Sequence, residues 1–424
     1  MMRIPDFEPP AVELRQDETR KRLVLGYRLL TPLFGGGPLA GECDPLTTVR
    51  TATVVGQLRF WWRACRAAAY PDLKSLRAAE DRLWGSTTVR SPIVLELRRT
   101  QAGEPQKPFT LKPGQSWPDC HEDVAPAYAA FPLQPNSKDR TVRTVQSGVG
   151  FELVVSYPAA AEADVRAALW AWETFGGVGA RTRRGFGALA RMTEDGRAVQ
   201  RPPCRELLDW IQAELQRHVL EVGKPIPGVP RLEHKLPLAA TRQKAGPGEK
   251  SAREAWKCLI KCYRDFRQSR RTGTGKSGRS YWPEPDAIRR LTGQADPKHR
   301  VPVCKIDRFP RGAFGLPIIF HFKDRTDPDT CTLQGPKHDR RASPLILRPV
   351  LGSDGAIGMA AILKPWGGPP GGYVLKGGRL PGVEVQVDLN GIPAGELAAI
   401  KPLKPSDKLY NNVFDPFREM VKEA

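Results

Sequence analysis

The sequence lacks several patterns that mark large classes of protein. No run of about 18 apolar residues occurs in the 424-residue chain, so no membrane-spanning helix is predicted. Residues 1–10 have no apolar core and include Asp6 and Glu8, which argues against a secretory signal peptide. The eight cysteines form no CxxC pair, and the six histidines form no HExxH or HxxxH motif. We therefore expect a cytoplasmic protein without disulfides, metal or cofactor.

Acidic residues are also scarce relative to basic ones. The chain has 66 Lys and Arg against 46 Asp and Glu, a formal net charge of +20. Such an excess favours association with polyanions, of which nucleic acid is the usual one and an acidic membrane surface the alternative. A hydrophobic fraction of 40% supports folded cores, and the length predicts two or three domains.

The first half of the chain alternates between strand and helix patterns. Strands are predicted at 22–34, 90–99, 150–157 and 187–192, and helices at 48–69 and 161–175, with a Pro-rich insertion near 100–146. The order β-α-β, insertion, β-α-β is typical of a split βαβ, ferredoxin-like domain over 1–195.

The second half, 196–424, follows a boundary expected at 195–230, where charge, Pro and Gly accumulate. Helices are predicted at 251–271 and 285–292, and strands at 314–322, 344–351, 356–363 and 382–388. The simplest account is a second α+β domain.

Residues 177–187 are the most informative stretch of the chain. They place four glycines, Gly177, Gly179, Gly185 and Gly187, around three arginines, Arg181, Arg183 and Arg184. Glycine permits a close backbone approach, and the guanidinium fork fits phosphate. The pattern predicts a flexible basic loop that lies along a polyanion, and a solvated turn is the alternative.

The predicted helix 48–69 carries Arg59, Arg63 and Arg66 on one stripe. No Asp or Glu is interleaved with them, so we expect Arg59 and Arg63 to bind an anion. The alternative is an amphipathic helix with a solvated basic edge. We assign Trp62 to the core.

The segment 270–282 forms a second basic loop, with Tyr281 and Trp282 beside it. Cations next to aromatic rings suit single-stranded nucleic acid, although Trp282 could equally anchor the next helix. Gly275-Lys276-Ser277 is not a Walker A motif, because Arg270 stands where its first glycine is required. We consider Asp44 the best-placed carboxylate for chemistry, but helix capping or a turn is the stronger interpretation of it.

These motifs together resemble the RAMP superfamily of CRISPR-associated proteins. Its hallmark loop, G-hydrophobic-G, five residues with a cation, then G-x-G, is matched at every position of 177–187. Within the superfamily the chain resembles the first subunits of the type III-B Cmr effector complexes. That likeness rests on 31–36, 56–63, 278–284, 309–317 and 343–345.

The resemblance implies two ferredoxin-like (RRM-like) RAMP domains with insertions. It implies a non-catalytic RNA-binding subunit near the 3′ end of the guide RNA (crRNA), which helps capture complementary target RNA in antiviral defence. Other RAMP subunits would be its partners, with no membrane involved. The alternative is a metal-independent RAMP endoribonuclease that processes guide precursors, but His121 is the single histidine of the first domain and lies in the insertion. A general nucleic-acid chaperone is a third possibility.

The residues predicted to contact RNA are drawn from both halves. They are Arg50, Arg59, Arg63, Gly177, Gly179, Arg181, Arg183, Arg184, Gly185, Gly187, Arg270, Arg271, Lys276, Arg279, Tyr281, Trp282 and Arg311.

Overall fold

The computed structural model of the chain describes residues 19–37, 41–44, 46–246, 248–270, 278–364, 368–369 and 371–424. No helix among them has the length and apolarity needed to cross a membrane. The fold mixes helices and sheets, so the predicted α+β class is confirmed.

The first half contains a five-stranded antiparallel sheet and the insertion. Its elements are β1 (Arg20–Leu29), α1 (Thr51–Arg66), α2 (Leu73–Trp84), β2 (Val94–Gln101), β3 (Glu104–Gln106), β4 (Phe109–Thr110), β5 (Asp119–Cys120), α3 (Ala127–Ala130), β6 (Val145–Ser147), β7 (Gly150–Pro158), α4 (Glu162–Phe175), β8 (Leu189–Glu194) and β9 (Arg197–Ala198).

The sheet order is β2-β7-β1-β8-β9, with β1 in the centre. Alternate residues of β1, from Leu23 to Leu29, are buried and pack in one core with α1 and α4. The connectivity β-α-β, insertion, β-α-β is the one predicted, because its strands and helices carry clear period-2 and period-3.6 patterns.

The second half contains two further four-stranded sheets. Its elements are α5 (Leu207–His218), β10 (Leu238–Ala240), β11 (Lys244–Ala245), α6 (Gly248–Gln268), α7 (Glu284–Thr292), β12 (Ile318–Phe320), β13 (Cys331–Gln334), β14 (Leu345–Leu351), β15 (Gly355–Ile362), β16 (Tyr373–Gly377), β17 (Leu380–Val385), α8 (Ala394–Leu397) and α9 (Phe414–Glu423).

In the first of these sheets β15 is central, with β14 on one side and β10 and β11 on the other. Along the chain α6 lies between β11 and β14, and α9 follows β17. The strands β12-β13-β16-β17 form a separate sheet.

A second ferredoxin-like domain, and the boundary near 195–230, stay predictions. The helix α5 lies within that predicted boundary segment.

The insertion packs with the second half. Phe109, Ala129 and Leu133 of the insertion belong to one hydrophobic cluster with Trp256 of α6 and Phe417 of α9. The segment 100–146, predicted as a long loop or insertion, therefore contributes to the core that joins the two halves.

Arg348 of β14 fixes the second half to the first. Its side chain is 1% exposed and donates hydrogen bonds to the carbonyl oxygens of Gly176 (2.7 Å) and Leu189 (2.8 Å). Gly176 caps the C-terminus of α4, and Leu189 is the first residue of β8. One guanidinium therefore binds both ends of the segment that connects α4 to β8. Burial lowers the pKa of Arg348 to about 9, which leaves it charged at neutral pH.

Replacing Arg348 tests this link. We expect Arg348→Met to lower the free energy of unfolding by about 3 kcal/mol, because two buried carbonyls lose their donor. Chemical denaturation measures the change. Arg340→Met, at an exposed arginine, should change it by less than about 0.5 kcal/mol. Equal effects of the two variants would contradict the role of Arg348.

Candidate nucleic-acid interface

Two glycine-containing loops lie against each other at one end of the first sheet. We call 31–37 the first loop and 176–188 the glycine-arginine loop. The N–H of Ala180 donates to Phe34 O and that of Gly187 to Pro32 O, both at 2.8 Å. The Thr31 hydroxyl donates to Gly185 O at 2.6 Å and accepts from the N–H of Ala188 at 2.9 Å. The loops therefore form one rigid unit.

The four glycines are required by contacts within the protein. Gly187 has φ of 57°, and a Cβ there would lie 1.9 Å from Val178 O. A Cβ on Gly185 would lie 2.4 Å from Trp256 Nε1, one on Gly179 2.7 Å from Phe34 O, and one on Gly177 2.8 Å from Gly187 O. The bulky partner that these glycines allow to approach is the chain itself. The flexible loop predicted from their number is instead tightly packed.

The three arginines of the loop have different surroundings. Arg183 donates to Ser343 O, and Arg184 donates to Leu345 O (3.0 Å) and to the Tyr263 hydroxyl (2.9 Å). Both side chains thus hold the second half. Arg181 is exposed, has φ of 56°, and makes no side-chain hydrogen bond or ion pair with any described residue. Of the three, Arg181 is the cation available to a ligand.

Arg181 stands beside a cluster of like charges. Arg184 lies 4.7 Å and Arg267 5.6 Å from the centre of the Tyr263 ring, measured from Cζ. Burial alone would raise the pKa of the Tyr263 phenol, but the guanidiniums of Arg184 and Arg267 outweigh it and lower that pKa. Desolvation and the Arg184 charge lower the pKa of Arg181 to about 10, so it stays a cation at neutral pH. The cluster has a strong positive potential.

Arg59 and Arg63 of α1 pair with acidic residues of α2. Arg59 donates to Glu80 (2.6 Å) and Asp81 (3.3 Å) of α2, and Arg63 also pairs with Glu80. Contrary to the prediction, Arg59 and Arg63 need no external anion, because Glu80 lies between them. Their contact with RNA has no support from this geometry.

Two further residues at the start of α1 pair with each other. Asp44 accepts from Arg50 at 2.9 Å and from the backbone N–H groups of Leu46 (2.9 Å) and Thr47 (3.2 Å). The Thr47 hydroxyl also donates to this carboxylate, and it and the other donors hold the pKa of the Asp44 carboxyl well below its usual range. Asp44 therefore acts as a turn cap, and Arg50 is partly neutralised.

The predicted loop 270–282 is only partly visible, because Arg271 and Lys276 lie outside the described residues. Arg270 is exposed. Arg279 pairs with Asp286 at 2.6 Å. Trp282 is 1% exposed, and its indole N–H donates to Phe266 O at 3.0 Å. Its predicted stacking on bases is wrong, because the ring is buried in the core.

The last two predicted contacts also face protein groups. The Tyr281 ring lies 4.4 Å from Nζ of Lys401, which also donates to its hydroxyl at 3.3 Å. Arg311 Nε lies 3.1 Å from the carboxylate of Glu284, which is fully buried. The Arg311 charge is therefore compensated within the protein.

Sequence reasoning missed Tyr263 and Arg267 as members of the cluster. They are four residues apart on α6, so helical spacing could have placed them on one face. Nothing in their local sequence indicates that this face meets the glycine-arginine loop.

Three residues could in principle hold a metal ion. The ligand atoms of His299, Asp324 and Asp327 lie within 4.8 Å of one another. Asp327 already accepts from Arg289 at 2.7 and 2.9 Å and contacts His299 at 2.8 Å. We interpret the group as an ion-pair network that fastens α7.

The packing of the glycine-arginine loop gives a direct test. We expect Gly187→Ala to lower the free energy of unfolding by about 3 kcal/mol, because the methyl group would overlap Val178 O at an unfavourable φ. Gly196→Ala is the control: φ is 79° there and no atom lies within 4 Å of the new methyl group. It should cost only about 1–2 kcal/mol of backbone strain. Similar losses in thermal or chemical unfolding would show that the loop is not tightly packed.

Part of the chain matches a known protein family. The family model of the RAMP superfamily matches residues 27–190, which include both loops. No curated protein matches the chain.

Several solved structures are similar to the chain. One is Cmr1 from Pyrococcus furiosus in its apo form, with 19% identity, a TM-score of 0.47, and coverage of 81% of this chain and 88% of that one. Another is a chain of the type III-B Cmr-beta complex bound to cognate target RNA and AMPPnP in the presence of ssDNA, with 13% identity, a TM-score of 0.44, and coverage of 81% and 94%. Cmr6 from Pyrococcus furiosus has 12% identity and a TM-score of 0.22, with coverage of 42% of this chain and 100% of that one. The predicted resemblance to the RAMP superfamily is confirmed over residues 27–190, which the family model matches.

Proposed function

We propose that this protein is an RNA-binding subunit of a type III-B CRISPR Cmr ribonucleoprotein. It contacts the guide RNA near its 3′ end and helps capture complementary target RNA in antiviral defence. The RAMP domain and the motif set shared with first Cmr subunits support this assignment. Its partners are guide and target RNA and other RAMP subunits, and it acts in the cytoplasm.

One observation carries the RNA-binding proposal. Arg181 projects from the RAMP loop without a protein partner among the described residues, beside the guanidiniums of Arg184 and Arg267. Tyr263, with a lowered phenol pKa, reports the excess of positive charge at this site. A phosphate group would relieve the repulsion among these cations and accept hydrogen bonds from Arg181.

The proposed role is binding without catalysis. The Asp44 carboxylate is occupied by four donors, and its lowered pKa makes it a weak base. The His121 imidazole contacts the Thr110 hydroxyl at 2.9 Å within the insertion. Both groups thus have structural partners, which supports a non-catalytic subunit over the endoribonuclease alternative.

Replacing Arg181 tests the phosphate contact without disturbing Arg183 and Arg184. We expect Arg181→Ala to weaken binding of single-stranded RNA. The slope of log K against log salt should become shallower by about 0.7, the contribution of one phosphate on a single strand. Fluorescence anisotropy over a salt series measures both quantities.

Arg197→Ala serves as the matched control for that series, because Arg197 is an exposed arginine at the β8-β9 turn. It should leave the slope unchanged. An unchanged slope for Arg181→Ala would remove Arg181 from the interface.

The complex itself is tested by affinity purification from the native host. We expect repeat-derived guide RNA and other RAMP subunits to co-purify with the chain. Heterogeneous RNA without RAMP partners would favour a general chaperone. Discrete cleavage of repeat RNA in EDTA by the purified protein would favour the processing enzyme.

A further inference from the structure

The insertion and α6 enclose a groove on the surface of the protein. Its cavity volume is about 660 Å³, within the range of small-molecule and nucleotide sites. Apolar groups that line it include Tyr128, Phe131 and Ile260. We call this cavity the insertion groove.

Phe131 gives the groove an unusual wall. Its side chain is 67% exposed, although Ala130 and Leu133 beside it are buried in the core. It follows α3 in a one-turn helix, Phe131–Leu133, in which Leu133 is buried. An aromatic ring exposed to solvent beside a concave surface suits a flat partner that can stack on it.

The rim of the groove is basic. Lys244, Lys257, Lys261 and Arg264 line it, against two carboxylates, Glu122 and Glu254. Lys257 pairs with Glu254 at 2.9 Å, and Lys261 and Arg264 share Asp265 at 3.2 and 2.9 Å. Lys244 makes no ion pair with a described residue, and the Lys261 side chain is 69% exposed. The rim therefore keeps a small excess of positive charge, which favours an anionic occupant.

The groove lies near the Arg181 cluster. Tyr128, which lines the groove, has its ring 5.9 Å from that of Tyr263 in an edge-on arrangement, and Tyr263 contacts Arg184 and Arg267. A strand bound at Arg181 would therefore have the groove as a neighbouring site.

We propose that the insertion groove binds unpaired nucleotides of single-stranded RNA, with a base stacked on Phe131 and phosphates along the lysine rim. Aromatic walls joined to a positive groove are the features by which proteins hold single strands without reading sequence. This inference rests on the proposed function and adds to it a base-binding subsite made by the insertion.

The test uses the full-length protein and a short, mixed-sequence, single-stranded RNA. We expect Phe131→Ala and Phe131→Leu to weaken the Kd by about 5- to 100-fold, the loss of one stacked base. Phe131→Trp should keep the wild-type affinity, because it preserves stacking. The difference between Phe131→Ala and wild type should vanish on an RNA in which the bases are replaced by abasic sites.

Trp117→Ala is the matched control, since Trp117 is also in the insertion and is 77% exposed but does not line the groove. It should bind RNA like the wild type. An equal loss for Trp117→Ala and Phe131→Ala would overturn the proposal, as would a Phe131→Leu variant that binds as well as Phe131→Trp. Thermal unfolding of each variant verifies that the exposed substitutions leave the fold intact.

The remaining outcomes separate this inference from the proposed function. If Arg181→Ala loses affinity and Phe131→Ala does not, the groove is not an RNA subsite but the RNA-binding function stands. If the wild type does not bind RNA, the proposed function fails as well. If Phe131→Ala retains RNA affinity but loses co-purifying RAMP subunits, the groove is a protein-docking surface and the RNA proposal is overturned.

Discussion

The contact between the glycine-arginine loop and β14 determines how the two halves of this protein are arranged. Arg348 reaches from β14 to the carbonyls at both ends of the loop, while Arg183 and Arg184 reach back to the segment 343–345. Trp256 of α6 donates its indole N–H to Arg184 O at 2.7 Å. The same indole leaves no room for a side chain at Gly185. The residues that match the superfamily hallmark thus form, in this chain, a structural joint between the two halves.

The arginines of the chain also fall into two groups, those paired with carboxylates and those without a described ionic partner. Arginines such as Arg59, Arg63, Arg279 and Arg311 are matched by buried or partly buried carboxylates. Arg181 is exposed at the edge of the joint, where Arg184 and Arg267 supply repulsion and no described carboxylate pairs with it. The net charge of the chain therefore does not indicate where a polyanion binds. The more useful indicator is whether each cation already has a carboxylate partner.

Sequence patterns predicted the main strands of the first half together with α1 and α4, but missed α2 and the contacts between the two halves. Residues such as Leu23, Leu25 and Tyr27 alternate, and Val54, Leu58 and Trp62 follow a helical period, so local patterns identified β1 and α1. The Glu80 that neutralises Arg59 and Arg63 lies on a different helix, and a periodicity within α1 carries no information about it. The burial of Trp282 and the position of Tyr263 likewise depend on contacts across long sequence separations.

The core shared by the insertion and the second half has a consequence for how the protein is made. Leu133 packs in the same cluster as Phe417, which the ribosome adds much later. At ordinary rates of translation the interval is about 15 to 60 s. During this time the apolar side of the insertion has no final partner, so the nascent chain is a natural client for chaperones.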